Sequence, residues 1–307
     1  MMSFGSPAWQ AWVLDESAAI TMVRTALDLG INTFDTADAY SNGLSEQILG
    51  RAVRASVPRR EVVIATKVGL PVGNLPGGLR PERMAAAIDA SLRRLGVEHV
   101  DLWQLHGWDP DVPIEETMGA MADAVLAGKA LHLGASNFAA WQAAMANCHR
   151  GGPQALRSMQ LQHNLLYREE EREMLPFCRH TGLGVIAYSP LARGRLTNSA
   201  AAPVDVLRAA TDAKGERLYG GAEDHAVAKA CRAVAFRRGV APGVIALAWV
   251  LGTPGVDTAI VGATSPEQLR EAVSAAGIAL ASEERAELEA GYATRPAERG
   301  DLSGSVR

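Results

Sequence analysis

Aromatic residues are scarce, at 5% of 307 positions, so a core must be filled mainly by Ala, Val, Leu and Ile, which the 48% hydrophobic content supplies. Cysteine is rarer still. Cys148, Cys178 and Cys231 stand far apart and form no CxxC pair. An odd, dispersed set excludes a disulfide frame and a sulfur metal cage, which both need clustered ligands, and predicts reduced structural thiols. Neither charge sign dominates, since 30 Lys and Arg face 34 Asp and Glu for a formal net charge of -4. That balance argues against nucleic acid or an anionic membrane as a main partner. The seven histidines form no HxH or HExxH spacing, so no metal site is expected and a metal-dependent hydrolase is disfavoured. The longest apolar run, Val244 to Leu251, is too short to span a bilayer, and no basic run followed by an apolar core opens the chain. These absences predict a soluble, cytoplasmic protein.

What is present is a rhythm. Short apolar runs at Ile31–Phe34, Val62–Thr66, Leu102–Leu105, Leu131–Gly134, Met159–Leu161, Val185–Ala187 and Thr258–Val261 read as buried strands. Between them, helical periodicity covers Ala18–Leu29, Ser45–Ala55, Pro81–Leu95, Ile114–Ala127, Ala139–Cys148, Glu171–Thr181 and Pro266–Ala275. Pro81 suits a first helical turn, and Ser265-Pro266-Glu267 offers a cap, a proline and an acidic start. Strands without polar alternation belong to a parallel sheet covered by helices. With no linker-like shift of composition, the whole chain, 1–307, reads as one α/β domain of the (β/α)8 TIM-barrel class. A polar, glycine-bearing excursion breaks the rhythm. It runs from Thr197 to Asp224 and is expected as an insertion at about 192–224 over the barrel mouth, with helices at Asp224–Arg238 and Ala241–Leu251 after it. The first strand reads as truncated, because only Met1–Gly5 precedes the first helix as its tail.

In such barrels chemistry sits where strands end. Asp35 ends the first of the seven runs, with Tyr40 in the loop behind it. Lys67, His106 and the pair Ser136–Asn137 end the next three, Gln160 lies in the fifth, and Tyr188 ends the sixth. A carbonyl that accepts a hydride develops charge on oxygen and needs a proton and a nearby cation. A tyrosine phenol can give that proton, and a lysine ammonium beside it lowers its pKa. Asp35 would keep the lysine charged, and His106 would orient the carbonyl or assist the proton. Each of these residues has an ordinary alternative, a turn aspartate, a rim lysine, a core histidine or a loop tyrosine. Their order on successive strand ends overrides it.

From Phe4 to about Tyr292 the chain resembles the aldo-keto reductase superfamily. Carrying the resemblance are Phe34-Asp35-Thr36-Ala37 with Tyr40 and Ser45-Glu46, Ala65-Thr66-Lys67, Asp101 through His106 and Gly134-Ala135-Ser136-Asn137. Asn164 through Glu169, Ala187-Tyr188-Ser189-Pro190-Leu191 and Gly262-Ala263 before Pro266-Glu267-Gln268 extend it. The resemblance implies an NADPH- or NADH-dependent reductase of small-molecule carbonyls. Asp35, Tyr40, Lys67 and His106 would be its catalytic tetrad, with Tyr40 the proton donor. It further implies that Ser136, Asn137 and Gln160 hold the nicotinamide carboxamide and that Tyr188 stacks on the ring. Ser189, Leu191 and Gly194 would wrap the pyrophosphate, and Gly262, Thr264, Ser265, Gln268 and Glu271 would meet the adenosine end. The Rossmann-like Gly182-Leu183-Gly184 follows a helix and enters a strand, the reverse of the order that fingerprint needs.

Three departures stand out. The residues just after Val261, Gly-Ala-Thr-Ser, include no Arg or Lys where many relatives meet a 2′-phosphate, so NADH use is open. Ala272 replaces a frequent adenine-binding Asn, and the first strand is short. Trp9, Trp12 and Trp108 are candidates for an apolar substrate pocket, with simple loop packing the alternative. Two other functions remain in view: a Schiff-base aldolase with Lys67 as nucleophile, and a nicotinamide-binding regulatory subunit or inactive paralogue with little turnover.

Overall fold

The computed structural model of the chain describes residues 1–148, 152–197, 212–299 and 302. They group into two compact units: Met1–Gln160 with Thr181–Leu183 and the segment from Glu298, and Leu161–His180 with Gly184–Ala297.

In the first unit strands alternate with helices as the periodicity predicts. The strands are β1 (Thr33–Asp35), β2 (Val63–Val68), β3 (Val100–Leu105), β4 (Ala130–Ser136) and β5 (Leu156–Gln162), whose last two residues belong to the second unit. The helices are α1 (Glu16–Asp28), α2 (Leu44–Arg54), α3 (Pro81–Leu95), α4 (Ile114–Leu126) and α5 (Ala140–Cys148). Every strand pairs parallel to the next, in registers that bring Asp35 opposite Ala65, Lys67 opposite Gln104, Gln104 opposite Gly134 and Ser136 opposite Gln160. The polar residues thus gather at one end of the sheet by register alone. Helix ends follow local chemistry: Asp15 Oδ1 accepts the Ala18 N–H at 2.9 Å, and Pro81 opens α3. At the other end of α3, Gly96 with φ of 66° closes the helix in the left-handed region. Met1–Gly5 forms no strand, and Phe4 makes only an isolated bridge with Leu14.

The second unit holds a parallel pair, β6 (Gly184–Tyr188) and β7 (Thr258–Ala259). Its helices are α6 (Met174–Thr181, its last residue in the first unit), α7 (Ala213–Tyr219), α8 (Ala222–Arg238), α9 (Pro242–Leu251), α10 (Pro266–Ser274) and α11 (Ser282–Glu289). Trp249, Ile245, Tyr167, Val234 and Cys231 lie in its core. Burial pushes the Cys178 and Cys231 thiols up to about 12, which leaves both as inert packing groups.

Three elements differ from expectation. The helix read from Glu171 starts at Met174, because Glu169–Glu171 forms a separate 3-10 turn. There Arg172 binds Glu169 at 2.8 Å and the Tyr292 hydroxyl donates to Glu169 at 2.6 Å. Helix α7, capped by Asp212 Oδ1 accepting from Gly215 at 3.0 Å, lies within the stretch read as irregular, and α11 was unforeseen. The rest of the expected insertion, residues 198–211, lies outside the described residues. No single described helix is long and apolar enough to cross a membrane.

Helices α2 and α3 meet at Gly50, where an added Cβ would sit 2.0 Å from the Leu95 carbonyl oxygen. Gly50→Ala should destabilise the protein by about 1–3 kcal/mol, against an intrinsic helix gain of about 1 kcal/mol. Urea unfolding checks this, and a wild-type midpoint would contradict the close approach.

Candidate active site

The first unit brings Asp35, Tyr40, Lys67 and His106 together. Lys67, 1% exposed, donates from Nζ to Asp35 Oδ1 and, at 2.7 Å, to the Thr36 carbonyl. Asp35 Oδ2 accepts from Gln160 Nε2 at 2.9 Å and from Gln104 Nε2 at 3.1 Å, and Gln160 also donates to Gln104 Oε1 at 3.3 Å. The carboxylate is therefore saturated by one cation and two amides. Burial pushes the Asp35 pKa up, but Lys67's charge and hydrogen bonds from Lys67 and Gln160 outweigh it and hold it below its ordinary value. Burial pulls Lys67 down, and Asp35 more than reverses that, so the ammonium stays charged above the usual lysine range.

Tyr40 follows β1 in a short turn. Lys67 Nζ lies 5.1 Å from its ring centroid, His106 meets the ring edge-on at 5.7 Å, and Trp9 lies at 6.4 Å. The Tyr40 phenol is a weaker acid than its lysine neighbour alone implies. Lys67 does lower the phenol's pKa, but burial is the larger effect and leaves Tyr40 above its ordinary value. The phenol keeps its proton at neutral pH, as a donor must. His106 is held neutral, since burial and then the Lys67 charge push it down to about 3. Its Nδ1 is buried without a hydrogen-bond partner, while its backbone N–H extends the sheet to the Val68 carbonyl at 2.8 Å.

The turn that carries Tyr40 is strained. Ser41 and Asn42 have φ of 48° and 53°, and Gly43 follows at 89°. Such a run persists only where its surroundings over-determine it. Thr36 and Ser45 hydroxyls join at 3.0 Å, Ser41 Oγ accepts the Ser6 N–H at 3.3 Å, and Asn42 Oδ1 accepts the Gly73 N–H at 2.9 Å.

Ser136 is buried at the end of β4, and Asn137, with φ of 60°, donates to the His106 carbonyl at 3.5 Å. Trp108 packs edge-on against Phe138 at 5.3 Å and Trp141 at 5.5 Å, while Trp12 is buried in the core. In the second unit the Tyr188 hydroxyl donates to Gln162 Oε1 at 3.4 Å. The loop after it concentrates left-handed backbone at Ser189 (56°), Arg193 (57°) and Gly194 (94°), with Leu191 half-buried between them. Thr264 donates to Gln268 Oε1 through its N–H at 2.8 Å and its hydroxyl at 3.0 Å, and Ser265 Oγ caps α10 by accepting the Gln268 N–H at 3.3 Å. Gly262 and Glu271 are exposed.

Sequence reasoning missed Gln104 as a support of Asp35. A signal existed: it is a polar residue in a buried strand, two positions before His106 and so on the same face. Gly134 makes room for it, since a Cβ there would lie 3.1 Å from Gln104 Cγ.

Comparison with known proteins identifies the family. The model of the Aldo/keto reductase family matches residues 1–293. Versiconal hemiacetal acetate reductase of Aspergillus parasiticus is 38% identical over 326 residues, covering 97% of this chain and 94% of the relative. A putative aryl-alcohol dehydrogenase of Schizosaccharomyces pombe is 36% identical over 323 residues, covering 96% and 91%. Among solved structures, a thermostable aldo-keto reductase in complex with the inhibitor epalrestat matches with a TM-score of 0.74 and 28% identity, over 90% of this chain and 88% of that one. With its parallel strands and intervening helices of the (β/α)8 class, the chain belongs to the aldo/keto reductase family, whose members are NAD(P)H-dependent oxidoreductases acting on small carbonyl compounds.

Proposed function

We propose that this chain reduces a small aldehyde or ketone with a hydride from NADPH or NADH, and that Tyr40 protonates the carbonyl oxygen. The observation that carries the reading is the buried, charged Lys67, paired with Asp35 and 5.1 Å from the Tyr40 ring. The nicotinamide supplies the hydride when bound. As charge grows on the substrate oxygen, the Tyr40 phenol donates its proton, and Lys67 stabilises the phenolate left behind. Asp35 keeps Lys67 charged, Gln104 and Gln160 fix Asp35, and neutral His106 donates a hydrogen bond to the carbonyl oxygen.

The donor set fits a nicotinamide nucleotide. Gln160 uses its amide N–H group on Asp35 and Gln104, leaving its carbonyl oxygen as an acceptor for a carboxamide N–H, beside Ser136 and Asn137. The left-handed loop from Ser189 through Leu191 to Gly194 is of the kind that offers backbone N–H groups to phosphate, and Tyr188 supplies an aromatic face. Gly262, Thr264, Ser265, Gln268 and Glu271 are assigned to the adenosine end. The Thr264 and Ser265 hydroxyls are already engaged by Gln268, and none of the residues Gly262–Ser265 is a lysine or arginine that could select a 2′-phosphate, which supports acceptance of NADH as well. Trp9 beside Tyr40 and Trp108 beyond His106 suit an aryl or other flat apolar carbonyl, in line with the aryl-alcohol relatives. A cytoplasmic location accords with this chemistry.

Purified protein should oxidise NADPH or NADH when given 4-nitrobenzaldehyde, followed as loss of the reduced nicotinamide absorbance. Unchanged absorbance with cofactor fluorescence still quenched would contradict the reading. Tyr40→Phe should lose on the order of a hundredfold in rate with cofactor binding unchanged, and a wild-type rate would refute its role. Asp35→Leu leaves the Lys67 ammonium buried without its counter-ion and should cost about 3–5 kcal/mol in urea unfolding at neutral pH. A change below about 1 kcal/mol would show that the pair is not needed.

A further inference from the structure

Asp38 lies between β1 and Tyr40 and has no part in the chemistry above. Its side chain is 2% exposed, and its Oδ1 is buried without a hydrogen-bond partner. Its backbone N–H donates to the Lys67 carbonyl at 3.1 Å, so the residue is fixed where the Tyr40 turn crosses the end of β2. Facing it is Arg83 of α3, whose Nη2 stands 3.8 Å from Asp38 Oδ2, too far for a hydrogen bond. Arg83 spends its other donors on the loop after β2, to the Leu70 carbonyl at 2.7 Å and the Pro76 carbonyl at 2.9 Å, and its Nη1 is also buried and unpartnered. A carboxylate oxygen and a guanidinium nitrogen are thus each buried and unsatisfied in one cluster. Native proteins rarely leave such groups without a reason.

The remaining hooks on the Tyr40 turn are neutral hydroxyls, amides and backbone groups, which do not titrate. Asp38 is the ionisable side chain in the stretch Thr36–Ala39 that leads from β1 into this turn, and its charge acts on the phenol against Lys67. We propose that Asp38 is a positioning residue for Tyr40. Its carboxyl is the adjustable contact between the Tyr40 turn and the Arg83-bound loop, and its charge makes the phenol a weaker acid. This rests on the reading of Tyr40 as the proton donor.

The surroundings fix the direction. Burial is the largest influence on Asp38. Glu46 on α2 adds to it, Arg83 and Arg94 on α3 and the Ala39 N–H oppose it, and the balance raises the carboxyl from its ordinary 3.8 to about 7. Glu46 is itself occupied by Thr66 at 2.6 Å and Arg94 at 2.7 Å, and Asp109, beyond β3, binds the Leu79 N–H at 2.7 Å while acting on Arg83. Between these two values the native state holds a proton that the unfolded chain has released, so stability falls as pH rises to about 7 and then levels off.

Two measurements on Asp38→Asn test the proposal without relying on turnover. First, the melting temperature of Asp38→Asn minus that of wild type should rise by at least about 2–4 °C between mildly acidic and mildly alkaline pH. Second, the ionisation of Tyr40, read as the tyrosinate absorbance lost on Tyr40→Phe in each background, should move to lower pH in Asp38→Asn, whereas Asp38→Glu should restore the wild-type midpoint. In turnover, wild-type kcat for reduction should fall about threefold as Asp38 ionises, and Asp38→Asn should lack that step. A melting difference that is constant with pH, or an unmoved Tyr40 midpoint, overturns the proposal. Absence of any reductase activity in wild type would instead sink the functional reading, and both spectroscopic tests would still decide the role of Asp38.

Discussion

A lysine ammonium and a carboxylate buried side by side are stable only when every remaining polar atom is satisfied, and the first unit is organised around meeting that condition. Lys67 has the Thr36 carbonyl as well as Asp35, and Asp35 has Gln104 and Gln160 as well as Lys67. These partners come from β1, β2, β3 and β5, so the pair's polar atoms are all met when the four strands are in register. Its reward is electrostatic: a fixed positive charge close to a phenol, in a place too dry for water to screen it.

The Tyr40 turn is the second requirement. Three consecutive left-handed residues are not a conformation that a free loop would hold, so the hydroxyl and amide hooks around it belong to the site as much as the tetrad does. Gly43 ends the run, where an added Cβ would lie 2.6 Å from Arg94 Cδ, and Arg94 in turn binds Glu46 at 2.7 Å. The helices behind the sheet therefore reach the chemistry through a chain of named contacts. Asp38, between β1 and Tyr40, is acted on by both Glu46 and Arg94, and its position explains why pH should act on the phenol and on stability together.

Much of this was legible in the sequence because strand ends carry side-chain identity directly. Asp35, Lys67, His106 and Ser136 could be placed by counting buried runs, and Pro81 and Ser265 marked helix starts by local chemistry alone. Gln104 was harder, because its role depends on which strand lies beside β2 and on the space that Gly134 leaves. The acidity of Tyr40 was misjudged for a related reason. A neighbouring lysine can be read from residue types, whereas the opposing desolvation depends on how much of the chain covers the ring. Helix α7 escaped because its seven residues are too short to show a period, with the buried Leu218 and Tyr219 both at its end, and Asp212 caps it by a contact that periodicity does not register.

Lys67 as a permanent cation held by Asp35 can be tested on its own protonation. Selective nitrogen-15 NMR of the lysine side chains, with the Lys67 signal assigned by its loss in Lys67→Arg, would follow Nζ from neutral pH upward. The Lys67 ammonium should persist beyond the usual lysine midpoint of about 10.4. An Nζ already neutral near physiological pH would contradict it, and would point instead to a nucleophilic lysine and Schiff-base chemistry.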